Sequence, residues 1–443
     1  MTDLSKSPMV ELRIEYLPLA EIRPDPCNPR QHGKRHVRQI AKSIEAFGFN
    51  APILIDDEKQ IVGGHGRHAA AVLLGLPTAP TICLGHLSPQ QRRAYMVADN
   101  RLGDLSKWDE RALAGIMLEL AEADLSFDIE AAGFSVGEID LMVAAAETED
   151  EADDDIPEPG PVITQLGDVW DLGTHVIMAG SALDEKSYLA IMDRDEADIV
   201  FSDPPYNVPI QGHVSGLGKI QHREFAQAVG EMSEEEFIRF LMAALALAKR
   251  FSRDGSLHYW AMDWRHQYEL SVAARTTYDE QINLCVWAKT AAGMGSLYRS
   301  QHELFAVWRK GKARHRNNVE LGRFGRSRSN VWTYPGANSF GRSSDEGNLL
   351  ALHPTVKPVA LIADAILDST CRGEIVLDPF LGSGSTLIAA EKVGRRCRGT
   401  ELDPAYVDTI IRRWQRWSGG HARRRSDGRI FDNLEAEAAE LSE

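Results

Sequence analysis

Beyond residue 160 short apolar runs alternate with longer amphipathic ones. "ADIVFSD", "GSLHYWAMD", "INLCVWAKT", "HELFAVWRK", "EIVLDPF" and "RCRGTEL" read as strands. "EEEFIRFLMAALALAKRF", "PVALIADAILDST", "STLIAAEKVG" and "PAYVDTIIRRWQRW" read as helices. Strand and helix in turn predict an α/β domain with a parallel sheet covered on both faces. Such sheets bind ligands at the carboxyl ends of strands, near the switch point.

The front third has a different pattern. "NPRQH" precedes a helix, "VRQIAKSIEAFGF"; a strand, "PILID", and then "IVGGHGRHAAAVLLG" follow. This predicts a smaller α+β domain over 12–110 and a helical adaptor over 111–146. The glycine pair opens a helix carrying Arg67 and His68. With Gly64 these form a candidate phosphate or nucleotide site.

Charge divides the chain further. Residues 147–158, "ETEDEADDDIPE", hold eight acids and no base. Such a block repels itself, so 147–160 is expected to be an extended linker. The net charge of −16 alone argues against nucleic acid, but the charges are segregated. Residues 309–342 carry nine Lys/Arg against the single Glu320, and 411–429 carry seven Arg with Trp414 and Trp417 interleaved. The last stretch, 433–443, is expected to be an acidic tail or frayed helix. Five scattered cysteines without a C-x-x-C pair argue against a disulfide framework or a zinc knuckle and fit a reducing cytoplasm. No metal site is expected. No apolar run is long enough to span a bilayer.

Three motifs carry the chemistry. "DPPY", 203–206, follows a buried strand. Pro204 and Pro205 stiffen the loop, Asp203 supplies a carboxylate, and Tyr206 supplies a flat ring. Convergent acceptors and a stacking ring suit a planar ring bearing an amino group. Binding the amine hydrogens localises a lone pair that is otherwise delocalised, and a rigid site costs little reorganisation. "LDPFLGSGSTLIAAE" ends a strand at Asp378, turns through Gly382 and Gly384, and opens a helix. Glu401, after the next strand, suits the hydroxyls of a ribose. "HPTVKP", 353–358, enters a helix just upstream.

Residues 161–432 resemble the DNA amino-methyltransferases, which methylate the exocyclic nitrogen of adenine or cytosine. "DPPY" resembles that family's catalytic motif, "DPFLGSG" its S-adenosylmethionine loop and "HPTVKP" its cofactor-flanking motif. The resemblance implies a Rossmann-like fold, S-adenosylmethionine as donor and base flipping in double-stranded DNA. Asp203, Pro204, Pro205 and Tyr206 are then the catalytic set. Asp378, Phe380, Gly382, Gly384, Glu401, His353, Thr355 and Lys357 then lie around the cofactor. The catalytic motif precedes the cofactor loop, as in the permuted beta subgroup, which places target recognition near 309–350. Arg314, Arg316, Arg323, Arg326 and Arg328 are the candidate DNA contacts. Aspartate at position 203 is similar to the adenine enzymes, with cytosine-N4 as the alternative. A partner restriction enzyme and a homodimer are left open.

Residues 12–110 resemble the ParB/sulfiredoxin-like domain. Gly64 and Arg67 match its nucleotide box, but His65 and Gly66 replace the other two residues. That departure favours a binding or DNA-positioning accessory over catalysis. A non-catalytic DNA-binding or partition protein is the competing reading of the whole chain.

Overall fold

A computed structural model describes residues 11–105, 108–122, 126–134, 138–139, 142, 151–154, 156–157, 160–207, 230–290, 297–319, 328–335 and 357–440. The chain divides into two compact units, Met1–Glu147 and Thr148–Glu443.

The first unit is built on a four-stranded mixed sheet of order β1-β4-β2-β3. Its strands are β1 (Ile14–Pro18), β2 (Ile53–Ile55), β3 (Ile61–Gly63) and β4 (Thr78–Cys83). A small core of Ile22, Ile53, Ile55, Ile61 and Ala79 lies against it. Gly64, in the left-handed region at φ +97°, turns β3 into the helix His65–Leu73.

The second unit contains a ten-stranded sheet of order β11-β9-β10-β8-β7-β12-β13-β6-β5-β14. Its strands are β5 (Val169–Leu172), β6 (His175–Ala179), β7 (Ala197–Ser202), β8 (Ser252–Met262), β9 (Glu280–Lys289), β10 (His302–Arg309), β11 (Val331–Tyr334), β12 (Ile375–Asp378), β13 (Arg396–Glu401) and β14 (Arg423–Arg424). Strands β6, β13, β12, β7 and β8 are mutually parallel. The expected all-parallel sheet is corrected at its margins. β10 runs antiparallel to β8 and β9, and among the described residues no helix lies between β9 and β10 to carry the chain back. β5 and β14 are antiparallel too.

Alternation along the strands builds two buried faces. Val200, Trp260, Met262, Ala306, Trp308 and Leu377 join one core with residues of helices Glu185–Met192, Glu234–Arg250 and Gln267–Thr277. One position along, Phe201, Tyr259, Phe305 and Trp332 form an aromatic row, with centroids 5.4 Å apart from Phe201 to Phe305 and from Phe305 to Trp332. The Tyr259 hydroxyl reaches Ser369 Oγ at 3.4 Å, on the helix Val359–Ser369.

The acidic stretch expected as an extended linker departs from expectation. Glu151–Asp154 forms a short 3₁₀ turn, and Asp153 and Ile156 are buried. Self-repulsion is outweighed by cations that sequence distance had hidden. Lys392 pairs with the Asp153 carboxylate, and Arg413 Nη2 donates to its backbone carbonyl at 2.8 Å. The tail forms a helix, Phe431–Glu440, anchored by Phe431 at 5.5 Å from Trp170. Arg412–Glu435 and Arg429–Glu437 ion pairs tie that helix down.

Candidate active site

β7 and β12 are neighbours, so the segments leaving their carboxyl ends start side by side. Ser202, the last residue of β7, donates from Oγ to Asp378 Oδ1 at 2.6 Å, which links the two strand ends directly. Two corners result, one for each motif.

At the first corner Asp203 is not alone. Its Oδ1 accepts the Tyr206 hydroxyl at 2.6 Å, and its Oδ2 pairs with Lys357 Nζ. Lys357 lies 3.0 Å from Glu303 Oε2 on β10, and Lys289 on β9 lies 2.5 Å from Glu303 Oε1. The Tyr206 hydroxyl is also 3.2 Å from Glu303 Oε2. Two carboxylates, two ammonium groups and a phenol thus form one network. Burial pushes the Asp203 carboxyl upward; Lys357 opposes that shift and Glu303 adds to it. Burial works on Glu303 too, yet the ammonium groups of Lys357 and Lys289 hold it well below the usual carboxylate range. Lys357 is raised: its own desolvation is outweighed by Asp203 and Glu303.

Pro204 is buried and Pro205 half-buried, consistent with a fixed loop. The next residue, Asn207, sits at φ +53°, a conformation Asn tolerates better than most. Its Oδ1 accepts from Gly230 N at 3.0 Å and Met232 N at 3.2 Å, and its Nδ2 donates to Met232 O at 2.8 Å. Asn207 therefore pins the far end of the tetrapeptide.

At the second corner the turn passes through Gly382 (φ +53°) and Gly384 (φ +83°) into the helix Ser385–Lys392. Asp378 is buried, and its Oδ1 also accepts Phe380 N at 3.0 Å. Burial raises its carboxyl to about 6, against hydrogen bonds from Ser202 and Thr386. Glu401 accepts Gly382 N at 2.9 Å and Asp403 N at 2.9 Å, and burial raises it to about 7. Among the described residues neither carboxylate has a Lys or Arg within ion-pair distance. A buried and a half-buried carboxylate without such a cation among the described residues suit a ligand that brings hydroxyl and ammonium donors. Phe380 leans on Phe240, 6.0 Å between centroids, at the edge of the core.

The remaining sequence candidates separate. Lys357, expected beside the cofactor, is bound instead to Asp203 and Glu303. His353, Thr355, Arg323 and Arg326 lie outside the described residues. Arg314 and Arg316 are exposed but follow β10, which runs away from the site. Arg316 pairs with Glu374, at the entry of β12, and the Arg314 carbonyl packs on Gly255, near the start of β8. Both therefore sit at the amino ends of the parallel strands, on the edge opposite "DPPY". Arg328 is committed to Asp364 and Asp368 of the helix Val359–Ser369. The arginines near the C-terminus are also internally paired: Arg424 with Asp427 and Asp168, Arg425 with Asp171.

In the first unit, Arg67 Nη1 donates to the carbonyls of Ala51 and Pro52, both at 2.9 Å, and desolvation lowers its affinity for a proton. His68 is buried and also lowered by desolvation. Arg67 is thus held by the backbone of its own unit, while His68 Nε2 is buried without a hydrogen-bond partner. Sequence reading missed Glu303, Lys289 and Asn207. Only Asn207, directly after "DPPY", carried a local signal.

Among the described residues there is no cluster able to hold a metal ion, and no helix long and apolar enough to cross a membrane. Residues 197–412 match a family described as DNA methylase, of the N6/N4 type. Residues 4–100 match the ParB N-terminal domain, and 111–166 match a ParB-methyltransferase HTH domain. The chain is 28% identical over 238 residues to the type II methyltransferase M2.DpnII of Streptococcus pneumoniae, covering 52% of this chain and 87% of that one. It is 40% identical over 83 residues to the ParB-like nuclease domain-containing protein YnaK of Escherichia coli, covering 19% of this chain and 95% of that one. The crystal structure of M1.HpyAVI is similar with a TM-score of 0.38 at 18% identity, covering 54% of this chain and 96% of that one. Methylases of the N6/N4 type use S-adenosylmethionine, and the donor-seeking carboxylates of the glycine corner fit it. Residues 197–412 thus form an N6/N4-type DNA methylase domain, and residues 4–100 form a ParB-type domain in front of it.

Proposed function

We propose that the chain methylates N6 of an adenine flipped out of double-stranded DNA. The observation that carries this reading is the pairing of the two corners: Asp203 leaves β7 beside the glycine turn that leaves β12. S-adenosylmethionine supplies an electrophilic methyl group when bound at the glycine corner. Asp378 and Glu401 receive its ammonium and ribose hydroxyl groups.

The chain's residues then act on the base. Asp203 accepts from the amine and localises its lone pair. Lys357 keeps the Asp203 carboxylate ionised and fixed. Tyr206 stacks on the base; its hydroxyl is already anchored, so ordering the ring costs little. The new N–C bond forms as the S–C bond breaks, and the amine proton leaves to Asp203 or water. Stacking recovers on the order of 1–3 kcal/mol of the cost of unstacking the target.

Adenine is favoured because the first motif position is Asp203. The second reading is cytosine-N4, since the family spans both amines. Nucleoside analysis of DNA from a methylation-free host expressing the chain tests the choice. N6-methyldeoxyadenosine supports the proposal. N4-methyldeoxycytidine supports the second reading, and no modified base refutes both. The front unit is proposed as a DNA-positioning accessory.

A further inference from the structure

The acidic turn, which lies inside the stretch matched to the ParB-methyltransferase HTH domain, touches both corners of the active site. From its backbone carbonyl, Asp153 receives Arg413 Nη2 at 2.8 Å. The same guanidinium donates through Nη1 to Ser383 O at 3.0 Å and Ser385 Oγ at 3.1 Å, inside the glycine turn and at the start of its helix. The Asp153 carboxylate accepts Trp417 Nε1 at 2.9 Å and pairs with Lys392. Asp153 thus clamps Arg413 from both ends of the helix pair Ser385–Lys392 and Pro404–Ser418.

Asp154 does something different. Its Oδ1 accepts Val359 N at 2.8 Å, the first N–H of the helix Val359–Ser369. Pro358 caps that helix and has no N–H of its own to offer. Two residues before Val359 stands Lys357, which holds Asp203 and Glu303. Ile156, 5% exposed, seals the turn against solvent. A segment expected to be an extended linker is therefore wired to the donor loop through one aspartate and to the helix that follows Lys357 through the next.

We infer that Asp153, Asp154 and Ile156 act as a strap that sets the active site. Asp153 is a positioning residue for the donor loop through Arg413, and Asp154 is a positioning residue for Asp203 through Lys357. The inference rests on the donor site being the glycine corner. It also gives the front domains a covalent route to the chemistry, because the chain that leaves them passes first through this strap.

The test uses full-length variants, S-adenosylhomocysteine as the probe in calorimetry, and single-turnover methylation at saturating donor. Asp153→Ala keeps the carbonyl but removes the carboxylate that fixes it against Trp417 and Lys392, so Arg413 loses its fixed partner; probe binding should weaken on the order of 10-fold and the saturated rate stay within about twofold. Asp154→Ala should do the reverse: a saturated rate lower on the order of 10-fold, with probe affinity held. Asp154→Asn keeps an acceptor oxygen for Val359 N and should restore the rate. Two variants that lose affinity, rate and melting temperature together would overturn the strap and make the turn plain packing. Two variants equal to the parent would overturn it as well. A parent that binds no probe would instead sink the assignment of the donor site.

Discussion

Two junctions in this molecule share one local design. β3 turns through Gly64 at φ +97° into the helix His65–Leu73, and β12 turns through Gly384 at φ +83° into the helix Ser385–Lys392. Each has a buried strand, a left-handed glycine at the cap and an apolar helix. What surrounds them differs. The β12 junction faces two carboxylates, the buried Asp378 and the half-buried Glu401, and stands beside the Asp203 corner. At the β3 junction the cation that sequence assigns to a ligand, Arg67, is spent on Ala51 and Pro52 carbonyls. A glycine turn is a backbone device; its function comes from the side chains aimed at it.

The widest expected gap between the junctions is chemical. Asp203→Ala should lower single-turnover methylation by roughly 10²–10³-fold, the scale for losing one preorganised polar group. Donor affinity should barely change, because Asp203 serves the base. Arg67→Ala should leave the methyl-transfer step untouched. A loss of transfer in Arg67→Ala equal to that in Asp203→Ala would erase the distinction.

The donor pocket gives the next gap. Glu401→Ala removes the acceptor at Gly382 N and the group assigned to the ribose. Donor affinity should fall on the order of 10–100-fold, the range for a lost charged hydrogen-bond partner. The saturated rate should fall much less. A variant with parental affinity would move the ribose elsewhere.

How much of this was legible follows from where the determinants lie along the chain. "DPPY" and "DPFLGSG" could be read because strand, acid and turn are contiguous, and the alternation of strand and helix brings such ends to one edge. Glu303 and Lys289 could not, because they reach Asp203 only through the pairing of β9 with β10. Base-rich composition misled for a related reason. It counts Arg314 and Arg316 without saying that β10 carries them to the opposite edge. It also misses that Arg328 is neutralised by Asp364 and Asp368, 36 and 40 positions on. The acidic turn was misread because self-repulsion is local, whereas its partners Lys392 and Arg413 are more than 200 residues away.

The two glycines themselves should respond unequally. An alanine at either position is strained, since its φ lies in the left-handed region, at a cost of about 1–2 kcal/mol. At 384 the added Cβ would also meet Ile410 Cγ2 at 3.0 Å, in the packed interior. At 64 it would meet the Arg67 guanidinium at 3.1 Å, the end of a long side chain that can shift. Hydrogen exchange should show more lost protection in Ser385–Lys392 for Gly384→Ala than in His65–Leu73 for Gly64→Ala. Equal losses would mean that backbone strain alone decides.

The smallest effect expected is a pH dependence confined to the β12 junction. Asp378 and Glu401 are raised by burial to about 6 and about 7. A carboxyl raised in the folded state adds stability that is full below its ordinary unfolded value. That stability is lost as pH rises through the folded value, because the charged form is the one burial penalises. Without donor, the second unit should therefore become slightly less stable between pH 5 and pH 8. Donor binding has the opposite sign. Hydroxyl and ammonium groups favour the ionised carboxylates, so affinity should rise from pH 6 to pH 8, with proton release on binding. Arg67 and His68 are shifted the other way, downward by desolvation, so the β3 junction contributes no gain in charge over that window. Calorimetry in buffers of different ionisation enthalpy measures the released proton directly. Glu401→Gln fixes one group as neutral and should flatten the stability profile above pH 6. Donor affinity that stays level from pH 6 to pH 8 in the parent protein would show that the two carboxylates are not the groups that receive the donor.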